Sequence, residues 1–485
     1  MTDQPHNHAP FYVLCQGINS KMKYIYILLC VLLAACASDK LQSATPVSDL
    51  KEPVSRLQYP YESSIQCRGC HTDQYQQYEE SMHAKAFSNP LFNAQYFTEV
   101  VPRAQKDPEY VPEARRCIAC HAPVVFMNYT GLVATPSQAG RFETGVTCDF
   151  CHTLEGFGEN GDYIQVSSGK KQGPYQIEGT ATHHSEYSGY MQHAEYCGNC
   201  HNATNHIGIG VNSTFDEWRE SKYGMSGNTS NVTCQECHMS AEGFLRKGVA
   251  QFAKGKAAHV NIGSGGYSKE QKERDKLYNH SFPGAHSIKQ QQDALLLEFK
   301  VGIRSADAFG RLPFTVMVNN ERTGHKMPSG SSDLRFMWLV VTAKTTDGVK
   351  IPVLLNSVMP DNVKNYSVSG GAPDDAAILQ DDVPVGVRMY RMVLVNSAGG
   401  QSLYQDTAVK NEFDNRLNAA EIRSEGYYLN LPTGFSGKVT LEANLYYRGA
   451  PSSFAKRMQV PDFSPVLVTS NKKEMSVEVP HASEK

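Results

Sequence analysis

Beyond about Ser287 the chain alternates apolar and polar residues in short runs: Leu295 to Ile303, Pro313 to Val318, Leu334 to Ala343, Val387 to Val395, Gly426 to Leu431 and Val439 to Tyr447. Gly, Pro, Asn and Asp punctuate them. Alternation with a period of two, broken by turn residues, predicts half-buried strands, and several in succession predict an antiparallel β-sandwich over residues 289–485. Upstream the pattern is different. Between residues 61 and 288 the apolar positions keep no sustained period, apart from a helix-like stretch from Thr72 to Ser88 with Tyr75, Tyr78 and Met82 three and four apart. That region is expected to be mainly α-helical and irregular, and the fold class to be such a domain followed by the β-sandwich.

The front of the chain carries a third pattern. Lys21 and Lys23 flank an apolar run from Tyr24 to Ala35 that ends in Leu33-Ala34-Ala35-Cys36. A basic start, a short apolar stretch and small residues before a cut describe a secretory signal. The run is too short to span a bilayer core of about 30 Å. Leu-Ala-Ala-Cys resembles a bacterial lipobox, which makes Cys36 the expected site of lipidation. Met22 is the better start, so residues 1–36 read as an N-terminal extension and lipoprotein signal peptide. Acyl chains on Cys36 anchor the protein to a membrane, and Ala37 rather than Asp, by resemblance to sorted lipoproteins, favours the outer membrane. Residues 37–60 are polar with Ser, Pro and Lys, a flexible tether with a reach of roughly 25–30 Å.

Composition sharpens this picture mainly through cysteine. The 485 residues carry a formal net charge of −3 with 20% charged side chains, so nothing points to nucleic acid. Of 13 cysteines, ten fall in five pairs: Cys67 and Cys70 before His71, Cys117 and Cys120 before His121, Cys148 and Cys151 before His152, Cys197 and Cys200 before His201, Cys234 and Cys237 before His238. The other three lie in the first 36 residues, leaving no spare thiols for a disulfide framework. Each pair is Cys-x-x-Cys-His, the attachment signature of c-type haem. One turn of chain presents two sulfurs to the two vinyl groups of a porphyrin, and the next residue presents an imidazole to the iron. Composition alone gives roughly 0.01 such motifs by chance. Redox dithiols do not come in fives, and a zinc site has no need of histidine after every second cysteine. Five covalently bound haems are therefore expected, with porphyrin replacing much of the protein core of residues 61–288.

An iron that only passes electrons needs a second axial ligand. The exported chain offers His83, His183, His184, His193, His206, His259, His280, His286, His325 and His481, ten candidates for five places. His83 lies 12 residues beyond His71, about 18 Å along a helix, so it is expected to ligate a haem other than the one His71 holds. His280 and His286 sit either side of a Pro-Gly turn, with His280 preferred. His183 and His184 are alternatives for one place, and His193 and His206 flank the fourth motif. His259 reads as part of a solvated loop and His481 as tail. Met82 and Met239 are placed to pack on porphyrin rather than to ligate iron. Bis-histidine ligation and fairly low potentials are the default.

These residues resemble the cytochrome c554-like multihaem family over roughly residues 61–288. The resemblance rests on Cys67-x-x-Cys-His71 followed by Tyr75 and Ser81-Met-His83-Ala84, on Gly145-Val-Thr-Cys148, on Glu217-Trp218-Arg-Glu-Ser221-Lys-Tyr223, and on His280-Ser-Phe-Pro-Gly. It implies distal ligation by His83 and His280, haems stacked in close pairs, and electron transfer, sometimes next to hydroxylamine or nitrite chemistry. Cytochrome c554 proteins carry four haems, so a fifth motif is a departure. Trp218 and Tyr223 are expected to pack on porphyrin faces. Downstream, Gly324-His325-Lys-Met-Pro328-Ser-Gly330 is similar to loops in β-domains fused to multihaem cytochromes, as is Leu445-Tyr-Tyr-Arg448. His325 either caps a haem at the domain border or stabilises its own turn.

The expected function is electron transport by an outer-membrane lipoprotein facing the periplasm or the cell surface. Its partners are other redox proteins, either cytochromes or membrane quinol-linked donors. Two alternatives stand beside it. One is a nitrite, hydroxylamine or sulfur-oxyanion reductase with an open haem, although no Cys-x-x-Cys-Lys motif is present. The other is a partner-binding β-domain served by the haems.

Overall fold

A computed structural model describes residues 60–480 except 159–162, 166–169, 177–184, 226–230, 247, 260–272, 303–304, 357–364 and 380–381. The signal-like segment with Cys36, most of the tether, His183, His184 and His481 lie outside the described residues.

Residues 61–288 form short helices joined by turns and by short two-stranded ladders, such as Leu154–Phe157 with Tyr163–Gln165. Prolines start several of them, where a missing N–H costs nothing. Asn89 caps Pro90–Gln95 by accepting from Leu91 and Phe92 N–H at 3.0 and 3.1 Å. Thr147 does the same for Cys148–Thr153 from Phe150 N–H. Thr233 and Glu236 form a capping box on Cys234–His238. The helix expected from Thr72 to Ser88 stops at Glu80, because Ser81 turns to extended backbone. His83 therefore sits in a turn, not on the helix. Apolar packing is concentrated around Tyr96, Val101, Ala114, Ile118 and Val125.

After the helix Ile288–Ala294 the chain becomes β. Its strands are β1 (Leu296–Lys300), β2 (Arg311–Asn319), β3 (Phe336–Thr345), β4 (Lys350–Ile351), β5 (Val353–Leu355), β6 (Arg388–Val395), β7 (Gln401–Ser402), β8 (Lys410–Asp414), β9 (Ile422–Asn430), β10 (Ser436–Arg448) and β11 (Val466–Glu478). One antiparallel sheet runs β1-β2-β9-β5. The other runs β7-β6-β3-β10-β11, with β4 also on β3 and β8 on β6. Alternate residues of both sheets, among them Leu297, Phe314, Val316, Leu339, Leu429, Leu441 and Leu445, meet in one core. All six expected strands are present, with ends shifted by up to four residues. β11 gave no signal: over its 13 residues only Val468, Met475 and Val477 are buried, and Thr469 to Glu474 are all polar.

The β-region is joined to the helical region by a shared interior. Leu91 and Ala94 pack with Leu334, Leu403, Phe454 and Met458, and Val211 packs with Met392, Leu394 and Ala408. Polar contacts tighten the seam. Asp406 pairs with Arg103 at 2.9 Å and accepts from Tyr110 O–H at 2.9 Å. Arg416 is its buried node, holding Asp414 through Nε and Nη2 at 2.9 and 3.0 Å and pairing with Glu217 at 2.7 Å. Burial works against ionisation of Asp414, but Arg416 and Lys326 prevail and hold its pKa down to about 2.

Removing one partner from a buried ion pair leaves uncompensated charge. Arg416→Met should therefore lower unfolding free energy by about 3–5 kcal/mol in chemical denaturation, whereas a loss near that of a surface ion pair would contradict the assignment. Asp333 is buried at the same seam. Burial raises its carboxyl to about 7, against hydrogen bonding from Gln405 and the charge of Arg335. A folded pKa above the unfolded one means that the carboxyl costs nothing while protonated in both states. Stability should then fall as pH rises from about 4 to about 7. Asp333→Asn should flatten that decline in thermal unfolding midpoints and leave the molecule more stable than the parent at pH 8.

Candidate functional site

Each motif occupies about one helical turn. The N–H of His71 reaches Cys67 C=O at 2.8 Å and that of His201 reaches Cys197 C=O at 3.0 Å. His121 ends the helix Val111–His121, and the third and fifth motifs are helical throughout. Two cysteines three apart on a turn share a side, and the following histidine projects beside them.

All ten motif cysteines line a single cavity of about 2640 Å³, together with the five motif histidines and His83, His280, His286 and His325. The cysteines form no disulfides. Thiols of different motifs touch: Cys67 meets Cys148, Cys120 meets Cys200, and Cys197 meets Cys234. Tyr196 O–H also donates to Cys151 C=O at 2.7 Å, bringing the third motif against the fourth. The fourth motif thus touches the second, third and fifth.

Four motif histidines are oriented by a hydrogen bond on Nδ1. His71 bonds Ala257 C=O at 2.7 Å, His121 Ala86 C=O at 2.8 Å, His152 Gln172 C=O at 2.6 Å and His238 Pro283 C=O at 2.6 Å. Outside the motifs, His280 bonds Tyr278 C=O and His325 bonds Lys326 C=O, both at 2.9 Å. A carbonyl only accepts, so Nδ1 carries the proton and Nε2 keeps its lone pair for a metal. Burial favours the same neutral form: it lowers His83 to about 3 and, aided by neighbouring histidines, His201 and His280 to about 4.

Three imidazole pairs face each other across the cavity. Ring centres are 6.1 Å apart for His83 and His201, 6.4 Å for His152 and His280, and 6.4 Å for His238 and His325. Two metal–nitrogen bonds of about 2 Å, plus about 1 Å from each nitrogen to its ring centre, place two imidazoles on one iron roughly 6 Å apart centre to centre. The donor set and spacing fit haem. His83 faces the fourth motif, not the first. Its carbonyl accepts from Val146 N–H at 2.9 Å. Gly145, at φ +81°, allows that approach, since a side chain there would collide with Ala84 C=O.

His121 differs. Phe92 stacks on it at 3.7 Å, and among the described residues no histidine ring faces it. His193 and His259 are exposed and absent from the cavity wall, and His206 packs edge-on to Tyr110. His286 lines the cavity but faces none of the five motif imidazoles among the described ring contacts. Trp218 and Tyr223 line it too, donating to Val232 and Glu321 C=O at 2.8 and 2.7 Å. Met82 and Met239 also line it. Sequence reasoning missed Arg335, a cation on the cavity wall, and Phe92.

The loop bearing His325 is fixed from both sides. Buried Asn320 donates from Nδ2 to His325, Leu417 and Asn418 C=O at 2.8–3.1 Å. Arg416 Nη1 donates to Pro328 C=O at 3.2 Å, and Lys326 N–H donates to Glu217 at 3.2 Å.

Residues 66–153 match the family of cytochrome c554 and c-prime. In fold the chain is similar to a penta-haem cytochrome c552 from Thermochromatium tepidum, with a TM-score of 0.57 and 22% identity over 86% of this chain and 99% of that one. A macrocyclization catalyst of alchivemycin A biosynthesis and a family 123 glycoside hydrolase from Clostridium perfringens align over 40% and 39% of this chain and 92% and 28% of theirs. Their TM-scores are 0.20 and 0.16 at 13% and 10% identity, and neither bears on function. No curated protein sequence matches the chain. The family match over residues 66–153, in a chain whose cavity is walled by Cys-x-x-Cys-His turns, supports a multihaem c-type cytochrome, and the fold is shared with one.

Proposed function

We propose that the chain holds five covalent haems, one per Cys-x-x-Cys-His motif, and conducts electrons through them as a lipoprotein of the outer membrane. His71, His121, His152, His201 and His238 are the proximal ligands; His83, His280 and His325 are the distal ligands of the fourth, third and fifth haems. His183 and His184 are alternatives for one of the remaining places. The two sheets of residues 289–485 are read as a sandwich that supplies His325. The observation that carries this reading is the trio of facing imidazole pairs at 6.1–6.4 Å within one cavity.

The thiol contacts suggest the route. The first motif meets the third, the third adjoins the fourth, and the fourth touches the second and fifth. The fourth haem is then the junction. Cys36 supports lipid anchoring, and among the described residues no helix is long and apolar enough to cross a membrane. Donor and acceptor are other redox proteins, cytochromes or membrane quinol-linked enzymes.

A second reading has one specific support. With no histidine facing His121 among the described residues, the second haem has room for a small exogenous ligand, which suits reduction of nitrite, hydroxylamine or a sulfur oxyanion. Electron paramagnetic resonance of the ferric protein tests both readings together. His325→Gly, with all haems retained, should turn one low-spin centre into a high-spin one, and His280→Gly should do the same at another. An unchanged spectrum in His325→Gly would remove the β-domain from the ligand set. A high-spin signal in the parent that responds to nitrite or hydroxylamine favours the reductase, and its absence favours pure conduction.

A further inference from the structure

Arg335 follows β-region residues Ser331 to Leu334 and lines the haem cavity, along with Ser329, Gly330 and Ser331. Its Nη1 donates to Ser329 C=O at 2.6 Å. Among the described residues no carboxylate lies within ion-pair distance of it, in contrast to the buried Arg388, Arg391, Arg416 and Arg448, which each pair with Asp or Glu at 2.7–2.9 Å. A guanidinium has five N–H donors and stays charged at any ordinary pH. Arg335 is part-buried on the cavity wall, and a negative charge on the cavity's occupant would give it the partner that the protein does not.

The seat for this side chain is built. Gly330 has φ +82°, and a Cβ there would overlap the Arg335 guanidinium. The glycine that ends the Gly-His-x-x-Pro-x-Gly loop is thus required twice, by its backbone conformation and by the cation lying against it. The cavity that Arg335 faces is the one lined by all five motifs.

We propose that Arg335, seated on Gly330, binds a propionate carboxylate of one of the haems held in this cavity. A haem brings two carboxylates into the cavity, and the planar fork of arginine matches a carboxylate in two parallel hydrogen bonds. The cation favours the reduced, less positive iron, so Arg335 sets the potential of the haem it holds as well as its placement. This inference rests on the five-haem reading of the preceding section.

Potentiometric titration of the full chain, followed by visible absorbance and paramagnetic resonance, tests it. Arg335→Gln should shift the reduction equilibrium of one haem about tenfold toward the oxidised form, about 59 mV for one electron, leaving the others within twofold. Arg335→Lys, which keeps the charge but not the fork, should shift it less. Gly330→Ala, which displaces the guanidinium, should shift it in the same direction as Arg335→Gln. If Arg335→Gln does not fold, the other two variants give the same reading. Potentials unchanged within twofold in the folded variants, with five haems counted on the same sample, would overturn the proposal. Fewer than five haems in the parent would instead overturn the reading beneath it.

Discussion

An imidazole can hold iron only if its Nε2 is deprotonated and aimed, and in this molecule both conditions are met by backbone carbonyls. Four motif histidines and two of the facing ones give their Nδ1 proton to a C=O at 2.6–2.9 Å. Most of those carbonyls come from segments distant in sequence: Ala257 for His71, Pro283 for His238. The irregular stretches of the helical region are thus outer supports of the ligands. Their lack of apolar period follows from that task, because a segment shaped to offer one carbonyl to one imidazole need not present an apolar face.

The β-region has a related role. Its core is self-contained in two sheets, and β6 is buried along its whole length: Met392 and Leu394 meet Val211 of the helical region, while Met389 and Arg391 on the opposite face are covered by Leu379, Val383 and Asp375. The buried node at Arg416 ties β8, the His325 loop and the helix Thr214–Arg219 together. That arrangement lets a loop from a β-domain place an imidazole 6.4 Å from His238 with the precision a ligand requires.

Much of this was legible in the sequence, for identifiable reasons. The ten cysteines and five histidines announce themselves because thioether chemistry fixes their spacing. Six strands followed from alternation; β11 did not, because a long edge strand with solvent on much of its length has little to alternate. Among candidate ligands, His83 and His280 stand out by their spacing and turn as well as by the resemblance, and their facing of His201 and His152 appears only in three dimensions. His325 was balanced between two roles, since a histidine between glycine and proline suits a turn as well as an iron. The expected helix through His83 is too long, since Met82 continues the spacing of Tyr75 and Tyr78 past the point where Ser81 breaks the turn. Arg335 left no trace: its meaning depends on a missing carboxylate partner, and spacing does not report absences.

The central claim is that five turns hold five porphyrins by ten sulfurs. A pyridine haemochrome assay on the purified, proteolytically mature chain, referred to protein concentration by amino-acid analysis, measures it directly. The account predicts five c-type haems per chain. A colourless protein, or one in which zinc fills the cysteine sites in stoichiometric amounts, would contradict it.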